Sequence, residues 1–226
     1  VRVKIFGRGG GIGPLTDAAL IAEAHKVFGA EVYLDTDAHA QVAREGDAVV
    51  VTYRGLDGAT HVERFDYLLA ATGRTPNVHG LGLEHTHVTL QANGVPEYDR
   101  TTLQCGATSI FVAGDANHDV PILHEAADEG RIAGENAARF PDVRAGLRRA
   151  GLGVVFSDPQ IAVIGGGFAT ARESAHVIGE VSFADQGRSR VMLRNQGMLH
   201  VYAEIGKGRF LGLVSSDRGT PARAAA

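Results

Sequence analysis

Residues 109–138 read SIFVAGDANHDVPILHEAADEGRIAGENAA. An apolar run stops at Gly114-Asp115, a short polar loop follows, and the chain resumes in a segment rich in Ala and Gly. The pattern predicts a parallel-type strand at 110–113 and a helix over about 121–139, with Pro121 in its first turn and Asp119 as its cap. In open α/β sheets ligands collect beyond the carboxyl ends of strands, so Gly114 and Asp115 place bare backbone and a carboxylate at a binding crevice. That carboxylate can accept hydrogen bonds from sugar-like hydroxyls. The helix start carries about half a positive charge, which favours an anionic ligand atom. Ala126, Ala127, Gly130, Ala133, Gly134 and Ala137 form a small-residue stripe that would let a flat neighbour come close. The plainer alternative is a helix packed on a sheet, with Asp115 serving only as a cap.

Upstream, VRVKIF (1–6) reads as a strand followed by a glycine-rich run, and Thr16-Asp17 can cap a helix over 18–28. Strand candidates at 31–34, 38–44, 48–54 and 61–65, separated by turn residues, predict a small antiparallel meander. DYLLAATG (66–73) reads as a buried strand that runs into a Pro- and Gly-broken stretch. From 151 the character changes to repeated strand runs, GVVFS, QIAVIG, HVIGEVSF, RVML, MLHVYAEI and RFLGLVS, which predict a second, antiparallel module. Residues 187–190 read as a polar loop within it. SSDRGTPARAAA (215–226) has no apolar period and reads as a disordered end.

A chain of 226 residues suffices for one or two domains. Its 30 glycines exceed the usual share of about 7%, so tight turns and close backbone approaches are expected. The formal charge of −4 is small and its signs are interspersed. No basic face is set aside for nucleic acid and no polybasic run for anionic lipid, so neither partner is expected. No apolar run approaches the roughly 18 residues needed to cross a bilayer, and the N-terminus lacks the order of a secretion signal. These features point to a cytoplasmic protein. Cys105, the single cysteine, excludes an internal disulfide and a thiol cluster, and reads as a small buried residue.

Several motifs fail on spacing. A dinucleotide fingerprint needs glycines at n, n+2 and n+5; Gly7-Gly9 fails at Ile12, Gly9-Gly11 at Pro14, Gly11-Gly13 at Thr16 and Gly165-Gly167 at Thr170. A phosphate loop ending at Gly206-Lys207 fails at Val201. His124-Glu125-Ala126-Ala127-Asp128 lacks the second His of a helical zinc site, and Glu84, His85 and His87 read as solvated loop residues. No metal site and no catalytic residue follow from the sequence.

Three segments carry a family resemblance: LLAATGRTPNV (68–78), the stretch quoted at the outset, and VVFSDPQIAVIG (154–165). Together they resemble the pyridine-nucleotide–disulfide oxidoreductase flavoproteins, and among them the dihydrolipoamide dehydrogenase branch. The resemblance implies an α/β chain made of partial nucleotide-binding, Rossmann-like domains with a β-meander, plus part of an α+β antiparallel dimerisation domain. Residues 1–66 would be the later part of an NAD(P)-binding domain, 67–150 the returning half of an FAD-binding domain, and 151–226 the start of the interface domain of a homodimer. It further implies that Asp115, next to Gly114, binds a ribityl hydroxyl of FAD. The helix start at Ile122, Leu123 and His124 would serve the flavin's pyrimidine edge, and Thr72 and Gly73 would lie on the return into the FAD domain. The family's cysteine pair and both of its glycine fingerprints are missing, which implies an incomplete chain, inactive alone.

If VRVKIF is the second strand of the nucleotide fold, Gly7 and Arg8 stand where NAD-specific folds carry an acid. Arg8 is then either a partner for the 2′-phosphate of NADP or simply exposed, and both NAD and NADP stay open. The resemblance implies electron transfer between NAD(P)H, FAD and a disulfide or dithiol substrate such as dihydrolipoamide. The alternatives are a non-catalytic fragment or degenerate paralogue serving folding or dimerisation, and a related reductase acting on glutathione, mercuric ion or a quinone.

Overall fold

The computed structural model describes residues 1–29 and 32–217. Glu31 of the first strand candidate and most of the predicted disordered end, 218–226, lie outside the described residues. The described residues form two compact units, one of 1–70 together with the residues from 151 onward, the other of 71–150.

In the first unit, β1 (Lys4–Phe6) pairs in parallel with β2 (Tyr33–Asp35), Lys4 opposite Tyr33 and Phe6 opposite Asp35. Between them lies α1 (Ala18–Phe28), over the predicted residues. Asp17 caps it, accepting a hydrogen bond from the Ala19 N–H at 2.9 Å, and His25 and Lys26 in the last turn suit the negative end of the helix dipole. The meander follows as β3 (Ala40–Glu45), β4 (Ala48–Arg54) and β5 (Thr60–Phe65), antiparallel in that order; the first strand predicted for it, 31–34, does not join it, because Tyr33–Asp35 pairs in parallel with β1 instead. Val51 and Tyr53, two apart on β4, are buried on one face, as a period of two requires.

The chain re-enters this unit with β6 (Leu152–Val155), β7 (Gln160–Gly165), β8 (His176–Ser182), β9 (Gly197–Glu204) and β10 (Phe210–Asp217). They form one antiparallel sheet in the order β6-β7-β10-β9-β8. Helix α1 supplies Leu20 and Ala24 to a core with Ile161, Tyr202 and Val214 from this sheet. Leu20, Ile161 and Val214, each fully buried, contribute about 1.5–3 kcal/mol apiece. Two predictions fail here. Residues 187–190 are not a loop, and RVML is not a strand: both fall on a short helix, Gly187–Val191, and its C-terminal side, because the Gln186 Oε1 accepts from the Ser189 N–H at 2.7 Å and starts a helical turn. Residues 215–217 belong to β10 rather than to a disordered end, with Ser215 and Ser216 buried against β7 and β9.

In the second unit the one long element is α2 (Leu123–Arg139). It packs Ile132 and Ala133 on Leu103, with Tyr98, Phe111 and Ala113 alongside. Asn136 ties its far end to the loops, donating to the carbonyls of Thr102 (3.0 Å) and Arg144 (2.8 Å) and accepting from the Arg144 N–H (2.9 Å). The predicted strand at 110–113 is absent. Its backbone runs antiparallel to 103–105, with a single bridge between Gln104 and Phe111 and hydrogen bonds from the Cys105 N–H to Ile110 and from the Val112 N–H to Leu103. The predicted buried strand at 66–73 is absent too, and Leu69 is 89% exposed. Among the described residues no strand pairs with that segment, and an apolar run with no ladder partner has nothing to hold it extended. No helix among the described residues is long and apolar enough to cross a membrane.

Candidate functional site

The Gly114-Asp115 turn is a one-turn 3-10 helix, Gly114–Asn117. Gly114 sits at φ +68°, and a Cβ there would lie 3.1 Å from the Ala126 Cβ, so the turn demands glycine both for its backbone angle and for its close approach to α2. Glu129 of α2, only 1% exposed, holds the turn from below. Its Oε2 accepts from the Gly114 N–H at 2.7 Å and from the Asn117 Nδ2 at 2.6 Å. The Asn117 Oδ1 in turn accepts from the Asp119 N–H at 2.9 Å.

Asp119 does not cap α2. The cap position is Ile122, without a side-chain hydrogen bond, and the helix begins at Leu123 rather than at Pro121. The Asp119 carboxylate instead accepts from Arg100 at 2.7 Å and from Arg148 at 3.0 Å. Two strong charge-assisted partners outcompete a cap. Burial alone would lower the pKa of the Arg148 guanidinium, but its hydrogen bonds to Asp119 and Glu125 outweigh that and leave it above its ordinary value.

With its neighbours inward, Asp115 is left facing out. Its side chain is 53% exposed, and the nearest cation is the Arg74 Nη1 at 3.6 Å from Oδ2. That ion pair brings the segment carrying Thr72 and Gly73, both exposed, to the turn. Ile122 is half-buried, whereas Leu123 (86% exposed) and His124 lie open at the helix start. The second unit therefore joins Gly114, Asp115, Ile122, Leu123 and His124, with Thr72 and Gly73 nearby. Arg8 belongs to the other unit, exposed after β1.

This arrangement fits a polyhydroxylated, partly anionic ligand. An outward carboxylate accepts from hydroxyls, and a first helical turn without a capping side chain leaves backbone N–H groups for an external acceptor. The small-residue stripe fares less well. Ala127, Gly130, Gly134 and Ala137 are exposed, and the buried face of α2 is Glu125, Glu129, Ile132, Ala133 and Asn136. Cys105 is fully buried, and burial pushes its thiol up, away from the reactive thiolate. Among the described residues no three His, Cys, Asp or Glu side chains gather as a metal-binding group.

Sequence reasoning missed Asn117, Glu129 and Arg148. Glu125 and Glu129 do leave a trace, two acids four apart on a face otherwise made of small and apolar residues. Arg148 leaves none, because it arrives from a stretch without periodicity. Also missed was a buried cluster in the first unit, where the Asp17 Oδ2 accepts from the Tyr202 hydroxyl and faces the His200 Nδ1, each at 2.7 Å, while the His200 Nε2 lies 3.2 Å from Glu180. Burial raises the Asp17 carboxyl, but hydrogen bonds from Tyr202, His200 and the Ala19 N–H outweigh it and hold the group below its ordinary value.

Comparison with known proteins agrees with this reading of the fold. Residues 2–130 match the family model described as pyridine nucleotide-disulphide oxidoreductase. The chain is 32% identical over 199 residues to a dihydrolipoyl dehydrogenase of Geobacillus stearothermophilus, covering 86% of this chain and 41% of that protein. It is 30% identical over 196 residues to a mercuric reductase of Acidithiobacillus ferrooxidans, covering 85% and 34%. The crystal structure of LpdA from Mycobacterium tuberculosis superposes with a TM-score of 0.76 at 26% identity, covering 96% of this chain and 47% of that one. The chain thus spans less than half the length of each of these relatives. The family model matches more than half of the residues, and on that match the chain belongs to the pyridine nucleotide-disulphide oxidoreductase family.

Proposed function

We propose that the chain is part of a longer flavoprotein and that residues 71–150 supply one side of its FAD site. The observation that carries this reading is the division of labour around Gly114. Glu129 and Asn117 turn inward and build the turn, while Asp115 is left outward with only a 3.6 Å contact to Arg74. In this reading Asp115 accepts from ribityl hydroxyls, and the open N–H groups and dipole at Leu123 and His124 favour an electron-rich edge of the ligand. Thr72 and Gly73 border the same site. Bound FAD supplies two-electron chemistry between a nicotinamide nucleotide and a disulfide or dithiol. Arg8 would face the nucleotide's 2′ position, in keeping with NADP.

The proposal extends to a dihydrolipoamide-type substrate, on the resemblance alone, to a cytoplasmic location, and to a homodimer using the five-stranded sheet, whose edge strand β8 exposes Val177, Ile178 and Val181. A second reading, a related reductase with another substrate, draws on the similar match to a mercuric reductase. The test is to purify the natural polypeptide that carries this sequence and record its visible spectrum. Flavin absorbance is expected, and Asp115→Ala should weaken FAD binding at least tenfold. A flavin-free protein, or an Asp115→Ala variant of undiminished affinity, overturns the reading.

A further inference from the structure

Arg148 touches none of the residues assigned to the ligand, yet three carboxylates converge on it. Its Nη1 lies 3.0 Å from the Asp119 Oδ2, and its Nη2 lies 3.0 Å from the Glu125 Oε2 and 2.9 Å from the Glu129 Oε1. Those three acids occupy different parts of the substructure: Asp119 the loop after the turn, Glu125 the first turn of α2, and Glu129 the second. Glu129 spends its other oxygen on the Gly114 N–H and on Asn117. Glu125 and Glu129 are buried, and the Arg148 side chain is only 20% exposed. Arg100 neutralises Asp119 alone. Without Arg148, Glu125 and Glu129 would be like charges one helical turn apart in a water-poor setting, and buried carboxylates without a counterion turn to water or take up a proton. Either response loosens the acceptor that holds the Gly114 N–H.

We infer that Arg148 is a positioning residue, which locks the Gly114–Asn117 turn in register with the first turn of α2. It thereby fixes the angle at which Asp115 and the open N–H groups are presented. The planar fork matters because one rigid guanidinium donates to Asp119 and Glu125 in different directions while its charge stands 2.9 Å from the Glu129 Oε1, whereas an ammonium is a point charge that serves such partners one at a time. The register itself follows from the distances above; its bearing on a cofactor rests on the FAD reading.

The test uses Arg148→Met, Arg148→Lys and the shape-preserving Glu129→Gln. Amide-resolved NMR exchange on the natural polypeptide that carries this sequence follows two groups of N–H. Gly114 and Asp119 report on the turn. Cys105 and Val112, bonded to Ile110 and Leu103, report on the surrounding core. Arg148→Met should speed exchange at the turn at least tenfold and leave the core amides within about twofold. Arg148→Lys should likewise leave the core unchanged and restore protection at the turn only in part. Glu129→Gln, which retains an acceptor but no charge, should fall between wild type and Arg148→Met.

Unchanged exchange at the turn in Arg148→Met overturns the inference. So does an equal loss of protection at turn and core in both Arg148→Met and Glu129→Gln, which would make the network a general stabiliser. An FAD titration of the same natural polypeptide separates this from the preceding proposal. A wild type that takes up no FAD sinks the FAD reading and leaves the exchange contrast standing. A wild type that binds FAD, with Arg148→Met binding it equally well, sinks the inference alone.

Discussion

Asp17→Asn is the sharpest test of how the first unit is held together. Asn is as good a helix cap as Asp, so the hydrogen bond from the Ala19 N–H survives. What is lost is the charged Oδ2 that receives the Tyr202 hydroxyl and faces the His200 ring, each at 2.7 Å and all three groups buried. A hydrogen bond to a charged group contributes about 1.5–3 kcal/mol. The two share one oxygen and are not additive, and the Asn amide can turn a donor toward the imidazole, so the expected loss is about 3 kcal/mol. That is a large part of the roughly 5–15 kcal/mol that stabilises a typical protein. In urea unfolding followed by circular dichroism, with slopes of about 1–3 kcal/mol per M, the midpoint should drop by roughly 1 M or more. Tyr202→Phe should cost about half as much, and the double variant should cost less than the sum of the singles.

The pH dependence has a definite sign. The folded carboxyl of Asp17 is held below its ordinary value, so its contribution is complete above the unfolded value of about 3.9 and is lost as pH falls through the folded one. The carboxyl's share of the gap between wild type and Asp17→Asn should therefore be fully present above about pH 5 and narrow as pH falls below about 4. A variant within about 0.5 kcal/mol of wild type at pH 7, or a gap that widens as pH falls below about 4, would refute the reasoning.

Other outcomes follow from close packing and from the second ionic cluster. A Cβ at Gly212 would lie 2.6 Å from the Gly167 N and 2.8 Å from its Cα, so Gly212→Ala must push the Gly167–Ala171 helix off β10. The expected cost is about 1–3 kcal/mol, and an unchanged melting temperature would contradict it. Gly114→Ala meets both a positive φ and the Ala126 Cβ, and should destabilise the second unit by about 1–2 kcal/mol, read as faster amide exchange at the turn. Glu63 is held below its ordinary value by hydrogen bonds from Lys4 and Tyr53, with burial opposing them. Its side chain is one-fifth exposed, so Glu63→Gln should cost about 1 kcal/mol near neutral pH and less as pH falls below about 4, measured by thermal unfolding across that range.

The elements legible in the sequence were those whose signals are local. Thr16-Asp17 ahead of an apolar stripe marked α1, and turn residues between β-branched runs marked the meander, since each depends on neighbours a few positions away. The two apolar runs expected as strands, 66–73 and 110–113, are not strands because a strand needs a partner, and hydrophobicity alone does not say which segment provides one. The same limit applied at the candidate site. Gly114 and Asp115 announced themselves as a break in an apolar run, but Arg148 reaches its three acids across 19 to 29 residues, and nothing in its own surroundings marks it. The Asp17 cluster was out of reach for the same reason, since Tyr202 lies 185 positions further along the chain.

That separation sets a clock on synthesis. Helix α1 leaves the ribosome with Leu20 and Ala24 uncovered, and the strands that shield them, β9 and β10, follow about 180 residues later. At about 5–20 residues per second the greasy side of the helix must wait on the order of ten seconds or more for its cover. Slowing translation between residues 28 and 197 should therefore raise the aggregated fraction more than slowing it after residue 217.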